Sequence, residues 1–565
     1  MKQMRCIKFL CLFVVICVFT DVRAQLSTNE KPVSFGKESE MTIKHRSSNS
    51  IVTMPQLDMA KIEKEDREDD EYDMPPRFGY RHKVNYNLNN SGTWYELPNG
   101  DKLWQLNVVC PNALSVNFCY DKFWIPDGGK LFVYSKDRKY TIGAFTSKNN
   151  KGDRKHLRGF ATGLVFGGDV ILEYYQPKNI RADAIISIEY VVHGYRYIKI
   201  DKNGFDSSGC CMVNINCEEG QNWQNEKKAV AMILVNGERV CTGSLINTTS
   251  LNQAPLFLTA CHCLNDTLNE DALSNTDLTY YTFYWNYEAP GCLNDSIEPL
   301  PCSTSGATLL ANNHYVDFAL LSLTEDPINI SNYIPYYLGW DRSGDSGAPG
   351  VGIHHPHGDI KKISTVASEP VTASNTYFWS VSWKSTLNGH GTTEGGSSGS
   401  PLLTADHKVI GQLLGGVSSC NNLLGPDKYG KFSVSWIGTK KENDYYRRLD
   451  CWLDSLNMGV QALEGLLIVP STSTMTTNED IYSIIRITST GQLTIQGNNE
   501  MMGNSRVIVE SGGKLIINGG TLSNAELLLK PGASLQIING GVMETRNGFE
   551  APVGALVNIE NGRIM

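Results

Sequence analysis

Four short segments near the end of the chain, "GQL", "GGKL", "GASL" and "GAL", set Leu493, Leu515, Leu535 and Leu556 just after a glycine-containing turn. Successive leucines lie 22, 20 and 21 residues apart. A period near 20 residues leaves room for one or two short strands per repeat, and so small a unit cannot bury its own apolar face. Stacked coils are the direct solution, so the spacing predicts a small solenoid over 481–565, such as a parallel β-helix. A small β-sandwich built from similar hairpins stays open as the alternative.

The remainder of the 565 residues must form further domains. A content of 41% hydrophobic and 19% charged residues is that of a globular protein, and 52 glycines with 25 tyrosines favour turns and strands over long helices. A net charge of -9 argues against a nucleic-acid partner, which would need a basic face. Lys2, Arg5 and Lys8 precede the apolar run 9–19, and Val22-Arg23-Ala24 precedes Gln25, the pattern of a removed secretory signal over 1–24. Ile16 before Cys17 is too bulky for a lipoprotein signal, and no later segment offers 18 uninterrupted apolar residues for a membrane span. Export puts the chain where disulfides persist. With three of the 15 cysteines inside the signal, an even set of 12 remains.

Residues 25–89 read as an acidic, weakly structured segment, because Glu65-Asp66-Arg67-Glu68-Asp69-Asp70-Glu71 cannot bury itself. From 90 to 202 the pattern turns to period two. Leu114, Val116, Phe118 and Tyr120 alternate with smaller or polar residues, and Asp127-Gly128-Gly129 makes a turn, as in a β-sandwich. Cys110 and Cys119 fall in neighbouring strand-like runs that a disulfide could join. Residues 203–466 form a second region of short strands and carry the other ten cysteines. Tyr446, Leu449, Trp452 and Leu456 have helical spacing within 443–456, and 467–480 reads as a linker before the repeats.

The stretch "EGGSSGSPLL", 394–403, has the composition of a flexible linker. It also suits a nucleophile: glycines on both sides let Ser398 project while the amides of Gly396 and Ser398 converge as oxyanion donors. "FLTACHC" (257–263) runs an apolar strand into His262 between cysteines, and "YVDFALLSL" (315–323) opens an apolar strand with Asp317. Alone, His262 reads as a strand-end histidine and Asp317 as a cap. Together, in the order His262, Asp317, Ser398 and 55 and 81 residues apart, they form the base, orienting acid and nucleophile of a serine protease of chymotrypsin order. Zinc is disfavoured, since the spacing of Cys261, His262, Cys263, His354, His355 and His357 fits no familiar zinc pattern. No metal or other cofactor is expected.

From 209 to 466 the chain resembles the lysyl endopeptidase group of secreted bacterial serine proteases. The resemblance rests on "GCCMVNINCEEG", "CTGSLIN", "FLTACHC", "YWNYEAPGC", "VDFALLSL", "LGWDRSG", "IHHPHGD", "GGSSGSP", "GQLLGGVSSC" and "DKYGKFSVSW", met in that order. It implies a chymotrypsin-like double β-barrel, with His262, Asp317 and Ser398 as the triad. It pairs Cys211 with Cys420, Cys217 with Cys292 and Cys241 with Cys263, and leaves Cys210, Cys261, Cys302 and Cys451 unassigned. Asp427 in "GPDKYGK" matches the family's lysine-selecting aspartate. A carboxylate at a pocket floor can hold a P1 ammonium, though a turn aspartate after Pro426 reads equally well.

Two departures stand out. Leu414 replaces a histidine typical of the family, and that histidine's aromatic neighbour has no clear match in "TASNTYFWSVSW". Ser397 occupies the position where trypsin-like enzymes carry an aspartate that receives the new N-terminal amine, while Ser400 reads as structural. Residues 25–202 resemble the pro-region of such proteases, which implies inhibition by the protein's own pro-region and self-cleavage near Lys199 or Lys202. The expectation is an exported or surface-bound bacterial endopeptidase, made as a zymogen and cutting protein or peptide substrates after lysine. The rivals are arginine or mixed specificity, and a surface binding protein that works through its repeats.

Overall fold

The computed structural model describes residues 30–36, 41–71, 74–196, 208–264, 277–294, 302–330, 333–372, 376–438 and 444–565. The signal segment, Lys199 and Lys202 lie outside the described residues. The fold is all-β, as composition and alternation suggest.

The N-terminal part is a sandwich of a seven-stranded and a five-stranded sheet. Strand Ser115–Trp124 of the smaller sheet buries both faces over most of its length, because one face meets the sandwich core and the other meets the next domain. On that second face Asn117 Nδ2 donates to the carbonyl of Gly237 at 3.2 Å. Cys110 follows strand Lys102–Val109 of the larger sheet, whereas Cys119 lies in the smaller sheet near Asn236, so the two thiols are free and not bridged. Period two places Cys119 in a strand and Cys110 just past the end of one, but does not say which sheet each joins.

The acidic segment is also more ordered than its composition suggests. Residues Met59–Glu71 form a helix, and Thr42–Arg46, Ile51–Thr53 and Gly79–Asn87 are strands of the sandwich. Asp66 is buried and pairs with Arg77 at 2.9 Å and Arg196 at 2.7 Å, while Asp69 pairs with Arg239 at 2.7 Å. Arginines distant in sequence neutralise what reads locally as a solvated run.

The next region begins with a closed six-stranded barrel. Its order is Val230–Val235, Arg239–Leu245, Leu256–Ala260, Phe318–Leu323, Cys302–Asn313 and Asp277–Trp285, returning to the first. A ten-stranded sheet follows, centred on Pro349–His354, Pro401–Thr404, Lys408–Gly416 and Asp427–Lys431. The disulfides join Cys211 to Cys420, Cys217 to Cys292 and Cys241 to Cys263, the pairs that the resemblance implies. The helical spacing over 443–456 yields only a 3-10 turn at Tyr445–Arg447 and one α-turn at Asp450–Leu453. Asp444 caps the first turn, Leu449 and Leu453 are buried in the core, and Trp452 packs against it half-buried.

Three parallel ladders make the C-terminal part a three-faced β-solenoid. Leu493, Leu515 and Leu535 stack in register inside it. The fourth repeat is shifted by one: Val557 aligns with Leu535, so Leu556 pairs with Ser534 and is exposed. A one-residue slip turns a strand's side chains to the opposite face. The predicted linker 467–480 is itself the first coil, with strands Gly465–Val469, Thr472–Met475 and Glu479–Ile481. Tyr336–Tyr337 extends the solenoid's first sheet, and Leu466, Ile468 and Ile484 share the core of the preceding domain.

Candidate active site

Strand Leu256–Ala260 ends in a 3-10 turn, Cys261–Leu264, that carries His262. The adjoining disulfide Cys241–Cys263 ties this turn to the neighbouring strand. His262 Nδ1 lies 2.8 Å from Asp317 Oδ2, and the His262 amide donates to Asp317 Oδ1 at 3.0 Å. Asp317 is buried and takes a left-handed φ of 56° just before strand Phe318–Leu323, a conformation that turns its carboxylate back on the histidine. The two contacts fix the imidazole's orientation and leave Nε2 on the side away from the acid.

Ser398 approaches from the ten-stranded sheet. Its carbonyl accepts from the Thr242 amide at 2.8 Å and lies 3.7 Å from Cys263 Sγ. Gly399, at φ 83°, packs so closely that a Cβ would lie 2.2 Å from Thr259 Oγ1. Ser398 is thereby pinned beside the turn that bears His262. Gly396 has φ 90°, and a Cβ there would meet the backbone of His355, His357 and Gly358 within about 3 Å. Among the described residues the amides of Gly396 and Ser398 donate to no protein acceptor. Backbone N–H groups without a protein acceptor are what an oxyanion needs.

Ser398 opens on a cavity of about 350 Å³ lined by Thr393, Leu413, Leu414, Gly416 and Ser418. Asp427 sits behind these residues, fully buried. Its Oδ2 accepts from Trp383 Nε1 at 2.7 Å, Thr393 Oγ1 at 2.7 Å and Ser418 Oγ at 2.6 Å, while Oδ1 takes the Ser418 amide at 3.2 Å. All four donors are neutral, and no salt bridge reaches Asp427 among the described residues. Resemblance alone singled out Asp427. No local pattern announces the donors Trp383, Thr393 and Ser418, although Trp383 closes the stretch "TASNTYFWSVSW".

Met74 and Pro76 line the same cavity. The Val240 amide donates to the Pro76 carbonyl at 3.0 Å and Arg239 Nη1 to the Pro75 carbonyl at 2.8 Å, with Arg77 bridged antiparallel to Arg239. Nothing in the sequence of 74–77 announces this contact.

Several buried imidazoles among the described residues resist protonation, and burial holds His355 well below the usual imidazole range. Burial and Lys362 lower His354 to about 3, and burial with His82 lowers His193 to about 4, from 6.5. Below about pH 6.5 the unfolded chain therefore binds protons that the folded one refuses, and stability falls as pH drops from about 6.5 towards 3. A fall in Tm of the Ser398→Ala protein across this window is expected, and a shallower fall when His354→Gln is added. Equal slopes for the two proteins would refute the assignment to His354.

Residues 205–430 match the family profile of the lysyl endopeptidase C-terminal domain. A lysyl endopeptidase of Pseudomonas aeruginosa is 30% identical over 313 residues, covering 51% of this chain and 60% of that protein. This chain thus spans about 60% of that relative's length. Among solved structures, an M. tuberculosis protease in its active form matches at 14% identity over 43% of this chain and 96% of its own, with a TM-score of 0.25. A Glu endopeptidase bound to MPD matches at 18% identity over 36% and 86%, with a TM-score of 0.24. The likeness is thus to lysyl endopeptidases, and it centres on residues 205–430.

Proposed function

We propose that the chain is a secreted serine endopeptidase that cuts peptide bonds after lysine and is made as a zymogen. The observation that carries this reading is Asp427, a buried carboxylate with no cationic partner among the described residues, bonded to Thr393 and Ser418, which line the cavity on which Ser398 opens. A buried charge without a counter-ion is costly, and a P1 ammonium is the partner that fits. The lysine stem is slender and its head is a compact three-donor cation, whereas arginine brings a wide planar fork to a carboxylate already holding four neutral donors.

In this mechanism the Ser398 hydroxyl attacks the carbonyl after lysine and His262 Nε2 takes its proton. Asp317 holds the Nδ1–H and stabilises the resulting imidazolium. The amides of Gly396 and Ser398 receive the oxyanion. Collapse expels the amine, which takes its proton from His262, and leaves an acyl-Ser398 ester. Water then repeats the sequence to release the acid. No cofactor enters any step.

Latency follows from the pro-region. Met74-Pro75-Pro76 lies along Arg239 and Val240 and lines the substrate cavity, and neither proline has an N–H to offer the cleft. Replacing these three residues by Gly-Ser-Gly in the full chain is expected to raise the initial fluorophosphonate labelling rate of Ser398 by about tenfold or more, because a tethered occupant acts at high effective concentration. An unchanged rate would remove the segment from the inhibitory role.

The function as a whole is tested by fluorophosphonate labelling of the processed protein, paired with matched lysyl and arginyl esters. Label at Ser398 with a lysine preference is expected. Absence of label would favour a binding protein whose repeats form the working surface, and equal rates would favour mixed specificity.

A further inference from the structure

Behind the oxyanion turn lies a buried polar chain that the reaction scheme above does not use. Ser397 and His354 are both fully buried. Ser397 Oγ is 2.7 Å from His354 Nδ1, and His354 Nε2 is 3.1 Å from Ser364 Oγ. Ser364 Oγ donates to the carbonyl of Thr392 at 2.8 Å, and the Glu394 amide donates to Ser397 Oγ at 3.2 Å.

Hydrogen bookkeeping leaves one arrangement. A carbonyl can only accept, so the single proton of Ser364 goes to Thr392 and Ser364 Oγ must accept from the imidazole. His354 therefore carries its proton on Nε2, and Nδ1 accepts from the Ser397 hydroxyl. Ser397 Oγ in turn accepts the Glu394 N–H. Every member is satisfied by a neutral imidazole, the state that burial and Lys362 also favour. Lys362 lies opposite His354 in the adjacent strand, and its Nζ is held by Asn214 Oδ1 at 2.6 Å.

The chain grips residues 392, 394 and 397, which span the loop from the Thr393 contact with Asp427 to the Gly396–Ser398 turn. A second arm starts one residue on. The His355 amide donates to Thr242 Oγ1 at 3.1 Å, and that hydroxyl donates to the Gly396 carbonyl at 2.8 Å.

We propose that His354 and Ser397 are positioning residues for the oxyanion hole, a neutral hydrogen-bonded clamp standing where trypsin-like enzymes form an ion pair with a newly cut N-terminus. The turn is then assembled before any cleavage. Control of the enzyme must accordingly lie in blocking the cleft, as Met74–Pro76 does, and not in collapse of the hole. This inference rests on Ser398 being the nucleophile.

The test compares the wild type with Ser397→Ala and His354→Gln, each folded by circular dichroism. Readouts are kcat and KM on a lysyl ester, affinity for a peptidyl-lysine aldehyde, whose adduct needs the hole, and affinity for an alkylamine that needs only the Asp427 pocket. A fall in kcat and in aldehyde affinity of about 10- to 100-fold is expected, since small misplacements of catalytic groups cost that much. KM and amine affinity should stay within about threefold. Values of kcat and aldehyde affinity within about twofold of wild type would overturn the proposal. So would amine affinity falling as far as kcat, because that marks general loosening. Failure of the wild type itself to take a fluorophosphonate at Ser398 would instead remove the nucleophile assignment, so the two failures are distinguishable.

Discussion

Replacing Ser398 by alanine is expected to lower kcat on a lysyl peptide by about 10⁵- to 10⁶-fold, the scale of losing the nucleophile of a triad that acts as a unit. The residual rate would come from the Gly396 and Ser398 amides and from substrate binding, both left in place. Ser398 makes its structural contacts through its backbone, notably the 2.8 Å bond from the Thr242 amide, so the variant should fold and melt as the wild type does. The substitution also probes maturation. If the protein cuts itself near Lys199 or Lys202, mass spectrometry should find the pro-region still attached in Ser398→Ala and absent from the wild type. An identical mature N-terminus in both would place that cut in the hands of another protease.

Asp427→Ala is expected to reduce kcat/KM for lysyl substrates by about 10²- to 10⁴-fold, the usual loss when one member of a buried, hydrogen-bonded charge pair is removed. The alanine variant also strands the donors of Trp383, Thr393 and Ser418, so part of its effect would be local disorder. Asp427→Asn separates the two causes. The asparagine keeps an acceptor and the side-chain shape but loses the charge, so its lysyl activity should fall almost as far while its Tm changes little. Undiminished lysine cleavage in Asp427→Ala would sink the assignment.

What the sequence reveals and what it hides follow the range of the interactions concerned. The short segments around His262, Asp317 and Ser398 are legible because each rests on a local device: a cysteine bracket, an aspartate opening an apolar strand, glycines around a turn. Their order along the chain supplies the rest. The solenoid is legible because its period repeats, yet the slip at Leu556 is not, since the stacking of neighbours sets register.

Contacts between distant residues are the hidden part. Asp66 and Asp69 read as solvent-facing until Arg77, Arg196 and Arg239 arrive from elsewhere. Trp383, Thr393 and Ser418 meet at Asp427 only because several strands and loops converge there. The helical spacing of Tyr446, Leu449, Trp452 and Leu456 is real, but tertiary packing uses it for just one α-turn. In the sequence Ser397 stands out for what it lacks, a carboxylate. Its hydroxyl lies 2.7 Å from Nδ1 of His354, 43 residues away, a contact that no local pattern announces.

The central claim is lysine-directed serine proteolysis, and digestion of a mixed peptide library by the purified mature protein tests it most directly. Cuts concentrated after lysine, and lost in Ser398→Ala, are expected. Cuts indifferent to the P1 residue, or a digest unchanged by Ser398→Ala, would contradict it.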